Sequence, residues 1–378
     1  MRILHTSDWH LGRVFHHVSM LEEQRVVLEQ LLDHVRATHP DVVIIAGDLY
    51  DRAVPPADAV DLFDEVVTTL TTEIGVPVIA IAGNHDSASR VEFGARLMAA
   101  SGLHLVGRSL GRGVVTLQDE HGPVDFVAVP YATPDAVRSD TGDESVRGHE
   151  AALRVQIEGV RSACGSERRV AIAHAFVVGG QISDSERALT VGGTGAVAAE
   201  VFEGFDYVAL GHLHRPQQFS GGRVRYSGSL MRYSFSECGH DKSAQLIELG
   251  ADGSIVHEAR LPLEPRRSLR VTEGLFDELL ALGESEPSED YLQVTLLDKG
   301  PVYDAMARLR KGFPNTLHIE RPAFEGGGGS LDTSSAEVNR ASPLALFQNF
   351  ASQVSDQPLD EEDLALLAEV MHEAGGAA

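Results

Sequence analysis

Cysteine is nearly absent: 378 residues carry only Cys164 and Cys238. Two thiols make neither a disulfide framework nor a cysteine-ligated zinc finger, and their scarcity fits a reducing compartment. Basic residues are scarce as well, 31 Lys and Arg against 56 Asp and Glu, for a formal charge of −25. A surface of that sign repels nucleic acid and anionic lipid unless a local basic patch, metal ions or a partner offsets it. Long apolar runs are missing too: Val42–Ala46 and Val76–Ala82 fall far short of the roughly 20 residues that span a bilayer. The opening MRILHTSDWH lacks the apolar core and small-residue cleavage site of a secretory leader, so a cytoplasmic protein without membrane contact is expected. With 43% hydrophobic residues the chain is not disordered, and its length suits about two domains and an appendage.

What is present is alternation. Short apolar runs at Arg2–Thr6, Val42–Ala46 and Val76–Ala82 are separated by helical patterns at Glu22–Thr38, Ala57–Thr72 and Glu92–Ala100. This predicts an α/β layered domain with a partly parallel sheet, its strands covered on both faces. Strands are predicted again at Val124–Pro130, Arg169–His174 and Tyr207–Leu210, with a helix over Glu150–Ala163 and β-rich text from Val224 to Val256. Past Pro262 and Pro265, a β/α/β/α/β pattern from Leu269 to Glu320, with a helix over Val302–Lys311, is enough for a small separate domain. Gly326–Gly329 and the polar residues after it read as a linker. Beyond it, Leu344, Leu346, Phe347 and Phe350, then Leu364, Leu366, Leu367, Val370 and Met371, place apolar side chains at helical spacing on segments too short to bury them alone. The expected boundaries are 1–263, 264–324, 325–341 and 342–378.

Each predicted strand of the first set runs into a polar cluster: Ser7-Asp8-Trp9-His10, Gly47-Asp48-Leu49-Tyr50-Asp51 and Gly83-Asn84-His85-Asp86. His174 ends a later strand, and Gly211-His212-Leu213-His214 follows another. Carboxyl ends of strands are where open α/β sheets place their sites. Singly, each cluster has an ordinary reading as turn, cap or surface chemistry. Together, Asp8, His10, Asp48, Asn84, His174, His212 and His214 mix oxygen ligands with imidazoles and no thiolate. That set suits Mn, Fe or Zn in a catalytic centre. Two divalent ions ~3.5–4 Å apart can share a carboxylate and clamp the attacking and leaving oxygens of a phosphoester. Trp9, between two candidate ligands, is read as packing.

The whole series resembles the calcineurin-like metallophosphoesterase superfamily, which implies an α/β/β/α layered sandwich. The stretches TSDWHLG (Thr6–Gly12), GDLYDRAVPP (Gly47–Pro56) and YSGSLMRYSFSE (Tyr226–Glu237) narrow the likeness to nuclease subunits of bacterial SbcCD-type complexes, relatives of the meiotic-recombination-eleven nuclease. The resemblance implies one ion on Asp8, His10, Asp48 and His214 and a second on Asp48, Asn84, His174 and His212. It implies His85 as a catalytic residue that is not a ligand, and Asp51 and Asp86 as groups that orient a histidine or a water. For Asp51, a helix cap or a pair with Arg52 serves equally. Archaeal relatives carry a further histidine where this chain has Asp51-Arg52. Arg13, His17 and Arg90 are candidate DNA contacts.

By the same likeness, the function is a Mn-dependent DNA nuclease with double-strand 3′–5′ exonuclease and single-strand endonuclease activity, serving DNA end processing, repair and recombination at the nucleoid. A small α/β capping domain would face DNA, and the C-terminal helices would bind an SbcC-type coiled-coil ATPase, within a heterotetramer built on a homodimer. The helix around Val26–Val35 is a candidate dimer contact. The alternatives are a small-molecule or cyclic-nucleotide phosphodiesterase and a non-catalytic scaffold; the intact ligand series argues against the scaffold.

Overall fold

The apolar runs become the middle of two sheets. A computed structural model describes residues 1–108, 113–186 and 195–322, which divide into two compact units between Leu269 and Arg270. The expected linker at 325–341 and the helices expected within 342–378 lie outside the described residues.

In the first unit one sheet has the order Ile255–Pro262, Ser243–Leu249, Arg2–Thr6, Val42–Ile45, Val78–Ile81, Leu103–Val106. Its last four strands are parallel, and Ser243–Leu249 closes antiparallel on Arg2–Thr6. The other sheet runs Gln217–Phe219, Val224–Tyr226, Tyr207–Gly211, Arg168–His174, Gly122–Val129, Val114–Asp119, with four parallel strands between antiparallel edges. Ile3, Ile44, Ile79 and Ile81 of the first sheet meet Phe126, Ile172, Tyr207 and Ala209 of the second in one buried core. Because side chains alternate across a strand, Val43 and Ile45 point away from that core, yet both are fully buried. The crossover helices Leu21–Thr38 and Ala57–Thr68 form the layer on that side. On the outer face of the second sheet, helix Gly148–Arg161 packs Leu153, Ile157 and Val160 against Val127, Ala171 and Leu210. The result is the four-layered α/β/β/α arrangement that the resemblance implies.

Some predicted elements differ. The helix expected over Glu92–Ala100 is broken, because Gly94 adopts φ 71° between the short helices Ala88–Val91 and Ala95–Met98. Helix Leu21–Thr38 spends Val27, Leu28, Leu31 and Val35 on its own unit's core, so that apolar face is not available to a second copy. The strands Leu103–Val106 and Val114–Asp119 escape the sequence pattern because both are sheet edges, only partly buried. In the second unit, strands Leu269–Gly274, Tyr291–Leu296 and Thr316–Glu320 form a sheet. Its core joins Phe276, Leu279, Leu292, Leu309 and Phe313, and the expected helix Val302–Lys311 shortens to Ala305–Leu309.

His5 lies fully buried in the first unit, where its Nδ1 is 2.8 Å from the Tyr207 hydroxyl and its Nε2 is 3.2 Å from the Leu210 carbonyl oxygen. Burial lowers its pKa from 6.5 to about 3. Between those values the unfolded chain binds a proton that the folded chain refuses, so stability falls on acidification by about 1.4 kcal/mol per pH unit. His5→Gln is expected to cost about 1–2 kcal/mol at pH 8, with the gap to the parent closing as pH drops below 6.5. Urea unfolding across this pH range measures it; a gap independent of pH refutes the assignment.

Candidate metal centre

Pairing register builds the site before any side chain does. Gly211 pairs with His174, which sets the loop Gly211–His214 beside that strand end, and a bridge from Leu11 to Tyr50 aligns the two loops of the first sheet. The Asp8 N–H donates to the Gly47 carbonyl at 3.0 Å and the His10 N–H to the Asp48 carbonyl at 2.9 Å. In these loops Asp8, His10, Asp48 and His212 have φ of 53°, 46°, 50° and 109°. Left-handed backbone at residues other than glycine costs about 1 kcal/mol or more each and persists only where the surroundings enforce it.

Two polar side chains, one buried and one half-buried, do much of that enforcing. Gln24 of helix Leu21–Thr38 donates to the Trp9 and His10 carbonyls at 3.0 and 2.8 Å and accepts the Gly12 N–H at 3.1 Å. Asp86 accepts the N–H groups of Leu49, Tyr50 and Gly83 at 3.0, 3.0 and 2.9 Å. Asp86 therefore ties the loops of Asp48 and Asn84 together through main-chain amides. Gln24 was missed in the sequence, where its only signal is a polar residue on the inner face of an amphipathic helix.

All seven expected ligands meet on this rim. Three groups each bring one ligand atom per residue within 4.8 Å of the others: Asp8, His10 and His214; Asp8, Asp48 and His174; and His10, Asp51 and His85. His10 Nε2 is 3.0 Å from His214 Nε2 and 3.6 Å from Asp48 Oδ2, which is itself 3.4 Å from His174 Nε2. Asn84 Oδ1 stands 2.9 Å from His174 Nε2 and 3.1 Å from His212 Nδ1. Asp48 thus stands between a His10–His214 side and an Asn84–His174–His212 side.

Burial sets the charges. It pushes the Asp8 carboxyl up to about 6 and the Asp86 carboxyl up to about 7. It keeps His10 well below the imidazole range and lowers His212 to about 3, so both rings are neutral and keep lone pairs. At Asp48 burial also disfavours the anion, but the His174, His10 and His85 rings outweigh it and hold the carboxyl well below its usual range. At His174 burial is likewise outweighed, by Asp48 and Asp8, and its pKa rises to about 9. Two imidazole nitrogens 3.0 Å apart beside buried carboxylates fit a divalent cation, as does the mixed oxygen and nitrogen donor set. His10 Nδ1 is buried without a hydrogen-bond partner.

The remaining candidates are used differently. His85 is buried, its Nδ1 is 2.8 Å from the Asp51 carbonyl oxygen, and its N–H donates to Asp48 Oδ1 at 2.9 Å. The Asp51 carboxylate pairs with Arg13 at 3.0 Å, not with Arg52, and the Arg13 guanidinium also lies over the Tyr233 ring. His17 and its neighbour His16 form the turn of a hairpin, at φ 68° and 45°, and His17 and Arg90 are exposed. Trp9 is buried, edge-on to Phe63 at 6.0 Å.

A Cβ at Gly83 would lie 2.2 Å from Asp48 Oδ1 and 2.3 Å from Asp48 N. Gly83→Ala is therefore expected to displace Asp48 and destabilise the fold by about 2–3 kcal/mol, measured by denaturant unfolding. Parent-like stability contradicts this geometry.

Residues 1–216 match the calcineurin-like phosphoesterase family, and residues 265–355 match a family described as the type 5 capsule protein repressor C-terminal domain. A curated relative from Staphylococcus epidermidis, the SbcD subunit of the nuclease SbcCD, is 31% identical over 365 residues, covering 96% of this chain and 95% of its own. Among solved structures, TT1561 of Thermus thermophilus aligns with a TM-score of 0.41 at 13% identity, over 69% of this chain and 98% of its own. A 5′-nucleotidase precursor of the same organism aligns at 0.35 and 14% identity, over 70% of this chain and 54% of its own. Scores this low support no inference about either structure's activity. With the phosphoesterase match covering more than half its length and a relative matched nearly end to end, the chain belongs to the calcineurin-like phosphoesterase family, in the group of the SbcCD nuclease subunits.

Proposed function

We propose that this chain is the nuclease subunit of an SbcCD-type complex, hydrolysing DNA phosphodiesters with two divalent ions, Mn²⁺ in the first instance. The observation that carries it is the convergence of two carboxylates, one amide oxygen and four imidazoles, with Asp48 in the middle. Asp8, His10, Asp48 and His214 would hold one ion and Asp48, Asn84, His174 and His212 the other. When bound, such ions supply Lewis acidity: they polarise the phosphoryl group and make a water nucleophilic at neutral pH. The chain's own residues do the rest. As the doubly protonated ring, with Nδ1–H donating to the Asp51 carbonyl, His85 presents Nε2–H, whose proton passes to the leaving oxygen as the water oxygen bonds phosphorus and the phosphorus–oxygen ester bond breaks. Asp51 acts through its carbonyl, and its carboxylate holds Arg13.

The expected double-strand 3′–5′ exonuclease and single-strand endonuclease activities, in repair and recombination at the nucleoid of the cytoplasm, belong to this reading. So do a DNA-facing cap at 264–324, a linker at 325–341 and ATPase-binding helices within 342–378. No helix among the described residues is long and apolar enough to cross a membrane. A homodimer is supported by Phe93, in the turn between the short helices Ala88–Val91 and Ala95–Met98, and Leu97 on the second of them, which are 80% and 82% exposed. The charge of −25 makes weak DNA binding by the lone subunit the expectation, relieved by the partner.

Nuclease assays on linear duplex DNA with Mn²⁺, with and without the ATPase and ATP, test the reading. Asp48→Asn is expected to abolish cleavage. His85→Gln is expected to lower turnover about 100- to 10,000-fold while metal content by elemental analysis stays at the parent level. Intact DNA under every condition, with efficient turnover of bis-nitrophenyl phosphate or a cyclic nucleotide, sinks the nuclease reading and leaves a small-molecule phosphodiesterase. Removing residues 342–378 is expected to preserve Mn²⁺-dependent phosphodiesterase activity and to abolish co-purification with the ATPase; retained co-purification would falsify the docking role.

A further inference from the structure

Behind His214 lies a buried polar chain that the metal set itself does not require. The His214 Nδ1 is 2.6 Å from the Ser185 hydroxyl, and the same hydroxyl donates to Glu237 Oε1. Glu237 is fully buried, and its other oxygen accepts from the Lys242 ammonium at 2.5 Å. Lys242 is buried too, and it donates onward to the His214 carbonyl at 2.7 Å and to the Ser229 hydroxyl at 2.8 Å. The His214 N–H is held by Glu186 Oε1 at 2.8 Å, from the same loop as Ser185. The His214 N–H, its carbonyl and its outer ring nitrogen thus each have a side-chain partner, the last two on the Lys242–Glu237–Ser185 chain.

Proton direction follows from the inventory of donors. Opposite an ammonium, Glu237 is a carboxylate and only accepts, so the single Ser185 proton goes to Glu237 Oε1. The Ser185 oxygen then has only lone pairs to offer His214, whose Nδ1 must carry the proton. Nε2 is left as a lone pair, and it faces the centre, 3.0 Å from His10 Nε2. Direct contact between Glu237 and His214 is longer, 3.5 Å, so the hydroxyl is the relay.

We propose that Ser185 and Glu237 are positioning residues for this centre: the Lys242–Glu237–Ser185 chain fixes His214 in the Nδ1–H form and aims its Nε2 at the cation. This rests on the reading of His214 as a ligand and deepens it. Outer-sphere partners of this kind typically raise metal affinity 10- to 100-fold. The sequence gives no hint of the relay. Ser185 lies outside every motif quoted for the family, and Glu237 closes one of them without a metal-ligand spacing.

The test uses the full chain. Mn²⁺ binding to the parent, Ser185→Ala, Ser185→Thr and His214→Ala is measured by calorimetry, with unfolding curves confirming that each variant is folded. Long-range ¹⁵N correlation of the histidine rings, recorded without metal, reads the tautomer. Ser185→Ala is expected to weaken one of two Mn²⁺ sites about 10- to 100-fold and to shift the His214 ring toward the Nε2–H form. Ser185→Thr, which keeps the hydroxyl, is expected to restore both. If His214→Ala loses one Mn²⁺ site while Ser185→Ala keeps the parent's affinity and tautomer, the positioning role is overturned and the ligand assignment stands. If His214→Ala binds both ions unchanged, the ligand assignment itself fails. Should Ser185→Ala not fold, Glu237→Leu combined with Lys242→Met removes the acceptor of the Ser185 proton without stranding a charge, and the same two readouts decide.

Discussion

Asp8 and Asp48 are carboxylates sealed from water at one rim of a layered sandwich, and the architecture around them follows from that burial. An ionised carboxylate in such a place needs compensating charge or several donors. Here the compensation comes from both sheets at once, from imidazoles and main-chain amides that no single loop could supply. His212 donates its N–H to Asp8, and His85 donates its N–H to Asp48. Parallel strands bring this about because they deliver all their carboxyl ends to one side, and two parallel-centred sheets deliver two sets. The rim is an electrostatic cage first and a set of candidate ligands as a result.

The same cage resolves the contradiction between an acidic chain and an anionic substrate. Net charge governs long-range attraction, whereas a phosphoester at the rim responds to what lies within a few ångströms. Two divalent ions would reverse the local sign without altering the surface elsewhere. Affinity for a polyanion then has to be assembled from other surfaces, which is a physical reason for such a protein to work inside a larger complex.

The site was more legible in the sequence than the fold around it. Asp8, His10, Asp48, Asn84, His174, His212 and His214 could be marked because each follows an apolar strand and carries a metal-competent group, and the structure brings all seven together. Central strands were readable for the same reason: burial on both faces leaves an uninterrupted apolar run. Edge strands such as Val114–Asp119 are half wet and leave no such trace. Gly94 was a visible breaker within Glu92–Ala100, yet its effect depends on a left-handed φ that composition does not announce. Arg13, read as a candidate DNA contact, is paired with Asp51, a partner its place in the sequence does not reveal. Gln24 and Asp86 act on main-chain groups far away in sequence, and linear spacing carries no record of such partners.

Four of the candidate ligands occupy backbone conformations that glycine adopts freely and other residues resist. At each of these positions the residue that would relax the chain most is also the one that deletes a donor. Stability and chemistry are therefore opposed at the level of single codons: selection for a sturdier fold alone would drift toward glycine at the rim and erase the centre. The strained rim persists only under selection for the chemistry it supports.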